Sequence, residues 1–477
     1  MKMSYNIVVV CVDTFRADMG GGGGGALSFV KTPNLDRLRR ESLSFTRCFG
    51  EGEPTIPVRR CLFTGRRSFP WRFDTPNEGL WPAEAGWHPI PHEQDTLAER
   101  LADAGYLTGL VADTYHMFKP TMNFTRGFLT WELIRGQESD NWRQGTPDSV
   151  DLAAHTLEDD PSPADYPIIL QYLLNMRGRQ REEDWMTAQV FRQAATWVEE
   201  NRRNGPFFLW VDSFSPHELW DPPGAYADAY CQAEAGVKDF IHHSVIGSTG
   251  ENLTPAQIER TKALYFGFVT FVDRWIGHLL DAIDANGLRE DTIVIFLSDH
   301  GTEVMDKGRF GKNSTRLYPY NTQLNWLVRH PEGPAGSSCD YWAQNQDLAP
   351  TILGLSGVEH EPLDGFDMWA AAGRGGGAVR DHVTTGWGNF ACVRDEDFAV
   401  HMRVTGPDFA DSARVYDLRT DPREEEDVAG DHREAIIQAV SRLESFAGPL
   451  PLTFRGYRQR ARARSIRTYA PFRYGKK

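Results

Sequence analysis

No stretch of this chain stays apolar long enough to cross a bilayer. The run Ile7–Val12 near the N-terminus is closed by Asp13, far short of the roughly 20 residues that a membrane span requires. Met1–Asn6 also lacks the charged, apolar and cleavage regions of a secretory signal, so the expected location is cytoplasmic with no membrane partner. Cysteine is sparse: Cys11, Cys48, Cys61, Cys231, Cys339 and Cys392 form no CxxC pair and no regular frame, which argues against a disulfide framework and predicts free, buried thiols. Positive charge is short as well. Against 66 Asp and Glu stand 51 Lys and Arg, a formal net charge of −15, so a sequence-independent nucleic-acid binder is not expected. Internal repeats are absent.

Apolar material is plentiful. The 477 residues are 40% hydrophobic and 12% aromatic, enough for a sizeable core and for one large domain with a smaller one, or two to three domains. Asn6–Val12 reads as a buried strand, followed by Asp13-Thr14 at its end. Gly20–Gly25 is a glycine run that cannot hold one conformation cheaply and reads as a flexible loop, uniform enough to suggest a replaced segment. Pro33–Ser42 has the spacing of a short amphipathic helix. Thr96–Gly105 predicts a helix, and Tyr106–Ala112 a strand ending in Asp113-Thr114-Tyr115-His116. Leu129–Asp184 is weakly periodic and reads as a long excursion from the core. Met186–Asn201 reads as a helix, and Pro206–Val211 as a strand that delivers Asp212-Ser213-Phe214-Ser215-Pro216-His217. A long helix at about Pro255–Asn286 precedes the strand Thr292–Leu297, which runs into Ser298-Asp299-His300-Gly301. This alternation predicts an α/β fold with a mostly parallel sheet sandwiched by helices.

Beyond Asp367 the pattern changes. The break at Gly373–Gly377 precedes short alternating segments, among them Phe398–Val404 and Ala413–Leu418, which predict a small C-terminal α+β domain. The expected division is a catalytic domain over 1–372, a subdomain over 378–454 and a basic arm over 455–477. That arm could pack on the acidic body, or wrap a neighbouring subunit to make a homo-oligomer.

Separate strand ends supply Asp13, His217 and Asp299-His300, and a parallel sheet can gather such ends in one cleft. Carboxylates with imidazole suit Ca²⁺, Mg²⁺, Mn²⁺ or Zn²⁺. Singly, each residue has a plainer reading: a helix cap for Asp13, a turn for Asp299, a satisfied core histidine for His217.

Read together, the local sequences carry more. Asn6–Asp18 with Thr32-Pro33-Asn34-Leu35-Asp36-Arg37-Leu38, then Thr55-Ile56-Pro57-Val58-Arg59 with Phe63-Thr64-Gly65-Arg66, Ser215-Pro216-His217, Ser298-Asp299-His300-Gly301, Gly311-Lys312, and Tyr416-Asp417-Leu418 with Asp421-Pro422 run collinearly. This series closely resembles the sulfatase family of the alkaline phosphatase superfamily. The resemblance implies an alkaline-phosphatase-like α/β fold whose C-terminal domain contains an antiparallel sheet. It implies that Asp13, Asp299 and His300 bind one divalent metal ion, with Thr55 at the nucleophile position beside or on the metal. Arg59 would hold the nucleophile and the developing charge, while Lys312 and His217 would contact an anionic ester or protonate its leaving oxygen.

Two departures from the family pattern redirect the reading. Thr14 stands where many sulfatases have a second aspartate, and Thr55 where they carry the Cys or Ser that matures to formylglycine. A secondary alcohol cannot yield that aldehyde, so formylglycine is not expected at Thr55, and direct attack by the threonine oxygen is. His300, in place of the usual Asn, favours Mn²⁺ or Zn²⁺ over Ca²⁺, although Ca²⁺ remains open. The set is similar to the phosphonate monoester and phosphodiester hydrolase branch, which makes Thr14, Asp113, Tyr115 and His116 candidates for substrate contacts. Asp113 stands near the position of the usual lysine, and an acidic group there suits a monoanionic diester. A second metal has no convincing ligand set, with Asp221 and His360 the nearest candidates. The expected activity is thus metal-dependent cleavage of a small anionic phosphodiester or phosphonate monoester. The alternatives are a sulfuric ester hydrolase with an altered nucleophile, and a catalytically silent anion- or glycan-binding member.

Overall fold

The computed structural model describes residues 5–20, 25, 27–71, 86–241, 253–373 and 377–454. Most of Gly20–Gly25 and the whole basic arm from Arg455, with the oligomer expected of it, lie outside these residues.

The central sheet is built from β1 (Asn6–Val12), β2 (Leu43–Phe45), β3 (Leu107–Ala112), β4 (Thr130–Leu133), β5 (Phe207–Ser213), β6 (Thr292–Ser298), β7 (Trp326–Arg329) and β8 (Ser337–Cys339). Their order across the sheet is β8-β2-β7-β6-β1-β5-β3-β4. Only β7 runs antiparallel to its neighbours, so the sheet is mixed but mostly parallel.

β1 shows why an uninterrupted apolar run becomes a central strand. Val8, Val10 and Val12 face one core with α4 (Met186–Asn201) and α5 (Pro255–Ala285), while Ile7, Val9 and Cys11 face another with α2 (Thr55–Thr64) and α3 (Leu97–Asp103). Both faces are covered, so the period-two alternation of a half-exposed strand is absent. A short α1 (Pro33–Arg40) buries Leu35 and Leu38. Thr96 caps α3 through a reciprocal capping box with Glu99, and Thr254 caps α5 in the same way with Gln257. Five cysteines are buried and Cys231 is half-buried, all of them free. Among the described residues no helix is long and apolar enough to cross a membrane.

The segment Leu129–Asp184 is not a mere excursion. It contributes the edge strand β4 and a helix, Pro167–Met176, whose Ile169, Tyr172 and Met176 pack with Leu152, Leu219 and Ile241 in a separate small core. β4 escapes sequence detection because it is a four-residue edge strand with exposed Thr130 and Trp131.

The C-terminal sheet is antiparallel throughout: β9 (Val383–Trp387), β10 (Phe390–Arg394), β11 (Phe398–Arg403) and β12 (Arg414–Asp417), with α6 (Arg433–Ala447) packed against it. A buried ion pair braces it. His401 Nε2 lies 2.7 Å from Glu424 Oε2, and Arg394 donates to Glu424 Oε1 at 2.5 Å. Burial works against a charge on His401, but Cys392 and the Glu424 carboxylate outweigh it and push the imidazole up to about 10. A folded-state value raised in this way stabilises fully below the unfolded value and fades as pH rises through the folded one. His401→Gln is therefore expected to lower Tm most below about pH 6.5 and progressively less towards pH 10; a pH-independent Tm loss would contradict the charged pair.

Candidate active site

The register of three adjacent parallel strands assembles the site. Val12 at the end of β1 lies opposite Ser213 of β5 and Ser298 of β6. The Asp13 N–H donates to Ser213 O at 2.8 Å and the Asp299 N–H to Val12 O at 3.2 Å, which brings Asp13, Asp212 and Asp299 to one edge of the sheet. Ligand sites gather at such carboxyl ends.

Arg59, on the second turn of α2, is fully buried among these carboxylates. Its Nη1 donates to Asp13 Oδ2 at 3.0 Å and to Asp299 Oδ2 at 2.6 Å, while Nε and Nη2 donate to Asp212 at 3.0 and 2.8 Å. Burial alone would disfavour its charge; Asp212, Asp299 and Asp13 outweigh it and hold the guanidinium protonated.

Asp13, Asp299 and His300 bring one donor atom each to within 4.8 Å of the others, all of them buried. The His300 Nδ1–H donates to Gly301 O at 2.9 Å, leaving Nε2 as the free nitrogen, 3.5 Å from Asp13 Oδ1 and 3.6 Å from Asp299 Oδ2. Burial lowers His300 to about 3, so the imidazole is neutral, as a ligand must be. Asp299 Oδ1 is fixed by the N–H groups of Thr14 and His300 at 2.9 and 2.6 Å. Burial, followed by repulsion from Asp299, raises Asp13 to about 6 against the opposing pull of Arg59. Two crowded carboxylates and a pre-oriented neutral imidazole fit a divalent cation.

Thr55 is the first residue of α2, with Oγ1 3.5 Å from His300 Nε2 and a backbone φ of 20°. Thr14 has φ 58°, and its hydroxyl donates to Asp13 Oδ1 at 2.7 Å. Positive φ is costly for a β-branched residue, about 1–3 kcal/mol each, and such strain collects where a site over-determines the backbone. Thr14 is buried and its hydroxyl and N–H orient the two carboxylates.

Asp113 is likewise internal. It accepts from Phe214 N at 2.6 Å and Gln137 Nε2 at 2.7 Å, and burial raises it to about 7. It thereby fixes the loop leading to His217. Tyr115 and His116 are buried side by side; the Tyr115 OH donates to Glu138 Oε2 at 3.0 Å, and the His116 Nε2–H to the same oxygen at 3.3 Å. His217 is half-buried, its ring stacked on Phe214 at 4.3 Å and 6.5 Å from that of His300. Lys312 Nζ donates to Glu218 Oε2 at 2.7 Å. Asp221 bonds Arg179 and Tyr172, and the His360 Nδ1 bonds the Glu361 carbonyl, so neither joins a metal cluster among the described residues.

Sequence reasoning missed four carboxyl groups here. Asp212 follows the strand-end pattern and was within reach of it. Glu53, Glu138 and Glu218 gave no signal, because their positions depend on contacts between distant segments. Glu53 is buried with neither oxygen partnered among the described residues, and burial, reinforced by Asp299 and Asp13, pushes it well above the ordinary carboxyl range.

Residues 5–358 match the family model for sulfatases. The chain belongs to the sulfatase family. This sulfatase-family hydrolase is 23% identical to an arylsulfatase of Clostridium perfringens over 88% of its own length and 89% of the relative's. It is 24% identical to the multifunctional alkaline phosphatase superfamily protein PehA of Trinickia caryophylli, over 91% and 92% of the two chains. Its fold matches the phosphonate monoester hydrolase of Agrobacterium radiobacter with a TM-score of 0.69 at 21% identity, covering 92% of this chain and 95% of that one.

Proposed function

We propose that this sulfatase-family hydrolase cleaves phosphodiesters or phosphonate monoesters with Thr55 as nucleophile. One observation carries the reading: a threonine hydroxyl stands at the N-terminus of a buried ten-residue helix, against the Asp13–Asp299–His300 donor set, where formylglycine cannot form. The positive end of the helix dipole favours a developing alkoxide there. A divalent cation held by Asp13, Asp299 and His300, with Mn²⁺ or Zn²⁺ favoured by the imidazole, would supply the charge that lowers the hydroxyl's pKa.

The remaining steps belong to the chain. The Thr55 oxygen attacks phosphorus as its proton leaves to water, and the ester P–O bond breaks. His217 or Lys312 gives a proton to the departing oxygen. Water then attacks the phosphothreonine, restoring the Thr55 hydroxyl and releasing the phosphorus acid. Arg59 keeps the carboxylates and the Thr55 carbonyl, which accepts from its Nη1 at 3.2 Å, in fixed register throughout.

A second reading, sulfate ester hydrolysis, is favoured by the sulfatase names among the sequence relatives. Turnover of p-nitrophenyl sulfate, a p-nitrophenyl phosphonate monoester and bis-p-nitrophenyl phosphate by the metal-loaded protein separates the two. The expected result is preference for the phosphorus esters and a loss of about 10³-fold or more in Thr55→Ala. Sulfate-only turnover, or turnover that survives Thr55→Ala, would sink the proposal.

A further inference from the structure

Glu218 directly follows His217 and is fully buried, yet two of its oxygens, Oε2 and the backbone carbonyl, face the groups assigned to the leaving oxygen. Its Oε2 accepts from Lys312 Nζ at 2.7 Å and lies 3.2 Å from His217 Nδ1. Oε1 accepts from Thr302 Oγ1 at 3.3 Å, which fixes the carboxylate plane. The backbone carbonyl accepts the His217 Nδ1–H at 2.6 Å, so Nε2 is the nitrogen left for other work.

The charges are nearly balanced. Asp13, Asp212, Asp299, Glu138 and Glu218 are buried carboxylates, while Arg59 and Lys312 are the arginine and lysine cations among them. A divalent cation on the Asp13–Asp299–His300 set leaves these groups without surplus positive charge. Lys312 in particular meets a substrate with its charge already matched. A doubly charged phosphate monoester then finds little uncompensated positive charge, whereas a singly charged diester or phosphonate monoester loses less.

We propose that Glu218 is the specificity-determining residue of this site, a positioning residue that holds Lys312 beside His217 and cancels its charge so that singly charged esters are taken and doubly charged ones refused. The inference rests on the functional reading above for the roles of Lys312 and His217. Its mechanism is electrostatic: removing the Glu218 charge leaves the lysine unmatched, and dianions gain more than monoanions.

The test uses metal-loaded wild type, Glu218→Gln and Glu218→Asp. Binding of inorganic phosphate and of dimethyl phosphate is measured by calorimetry at pH 8, alongside kcat and KM for p-nitrophenyl phosphate and bis-p-nitrophenyl phosphate. Glu218→Gln is expected to bind inorganic phosphate about tenfold more tightly while dimethyl phosphate changes by less than about threefold, and to shift kcat/KM towards the monoester by a similar factor. Glu218→Asp keeps the charge but shortens the reach, so kcat falls while the monoester-to-diester ratio stays within about threefold of wild type. Equal changes for both anions in Glu218→Gln, or a shifted ratio in Glu218→Asp, would overturn the proposal. If Glu218→Gln does not fold, the Glu218→Asp ratio still decides. Failure of the functional reading shows separately, as wild type that turns over no phosphorus ester, and the phosphate-binding comparison then still tests Glu218.

Discussion

Arg59→Met is expected to cost about 3–5 kcal/mol of stability, the range for stripping one partner from a buried ion cluster. The side chain is fully buried and serves Asp13, Asp212 and Asp299 together, so its removal strands three carboxylates at the ends of three neighbouring strands. Arg59→Lys should fall between, because an ammonium restores the charge but cannot fork towards Asp212 and the Asp13–Asp299 pair at once. A bound divalent cation compensates two of the three carboxylates, so the Tm loss of Arg59→Met should be larger after chelation than in metal-loaded protein. Thermal melts with and without chelator check this. A Tm equal to wild type in the chelated state would show that the guanidinium does not carry the cluster.

The same cluster shows what could be read from the sequence. β1, β5 and β6 were legible because each is buried on both faces and therefore apolar throughout, and each ends on a residue the register then brings together. Asp13, Asp299 and His300 were legible for that reason, and Thr55 and Arg59 only through the resemblance of their segment to the sulfatase nucleophile signature. What was hidden depends on pairing across the fold. Glu218 sits 94 positions from Lys312, and Glu138 sits 22 from His116 on a backbone with φ 41°; neither relation leaves a periodic trace. Thr14 and Asp113 illustrate the converse. Their place at strand ends was evident, but only the hydrogen bonds tell that both also hold other residues of the site in position.

Asp299→Ala is expected to remove bound metal and turnover together. The carboxylate holds two positions at once: Oδ1 locks the N–H groups of Thr14 and His300, and Oδ2 points at Arg59 and the His300 Nε2. Asp299→Asn separates these contributions, since its amide oxygen can keep the two backbone bonds while the charge is lost. It should fold with a lower Tm, since its NH2 stands where Oδ2 accepted from Arg59, and bind metal at least about 100-fold more weakly, because a neutral ligand replaces one of two anions. Protons compete at the same place. Asp13 is raised to about 6 by burial and then by the Asp299 charge, so metal-free wild type should lose stability as pH rises from the unfolded carboxylate range through about 6. Metal opposes that loss by favouring the ionised form, so metal affinity should climb over the same interval with release of a proton. In Asp299→Asn the repulsion is gone, Asp13 ionises at lower pH, and the affinity step should move down with it. Metal content by mass spectrometry and metal titrations between pH 5 and pH 8 check both parts; normal metal content in Asp299→Ala, or an affinity step unmoved in Asp299→Asn, would contradict the assignment of this pair as the anionic half of the metal site.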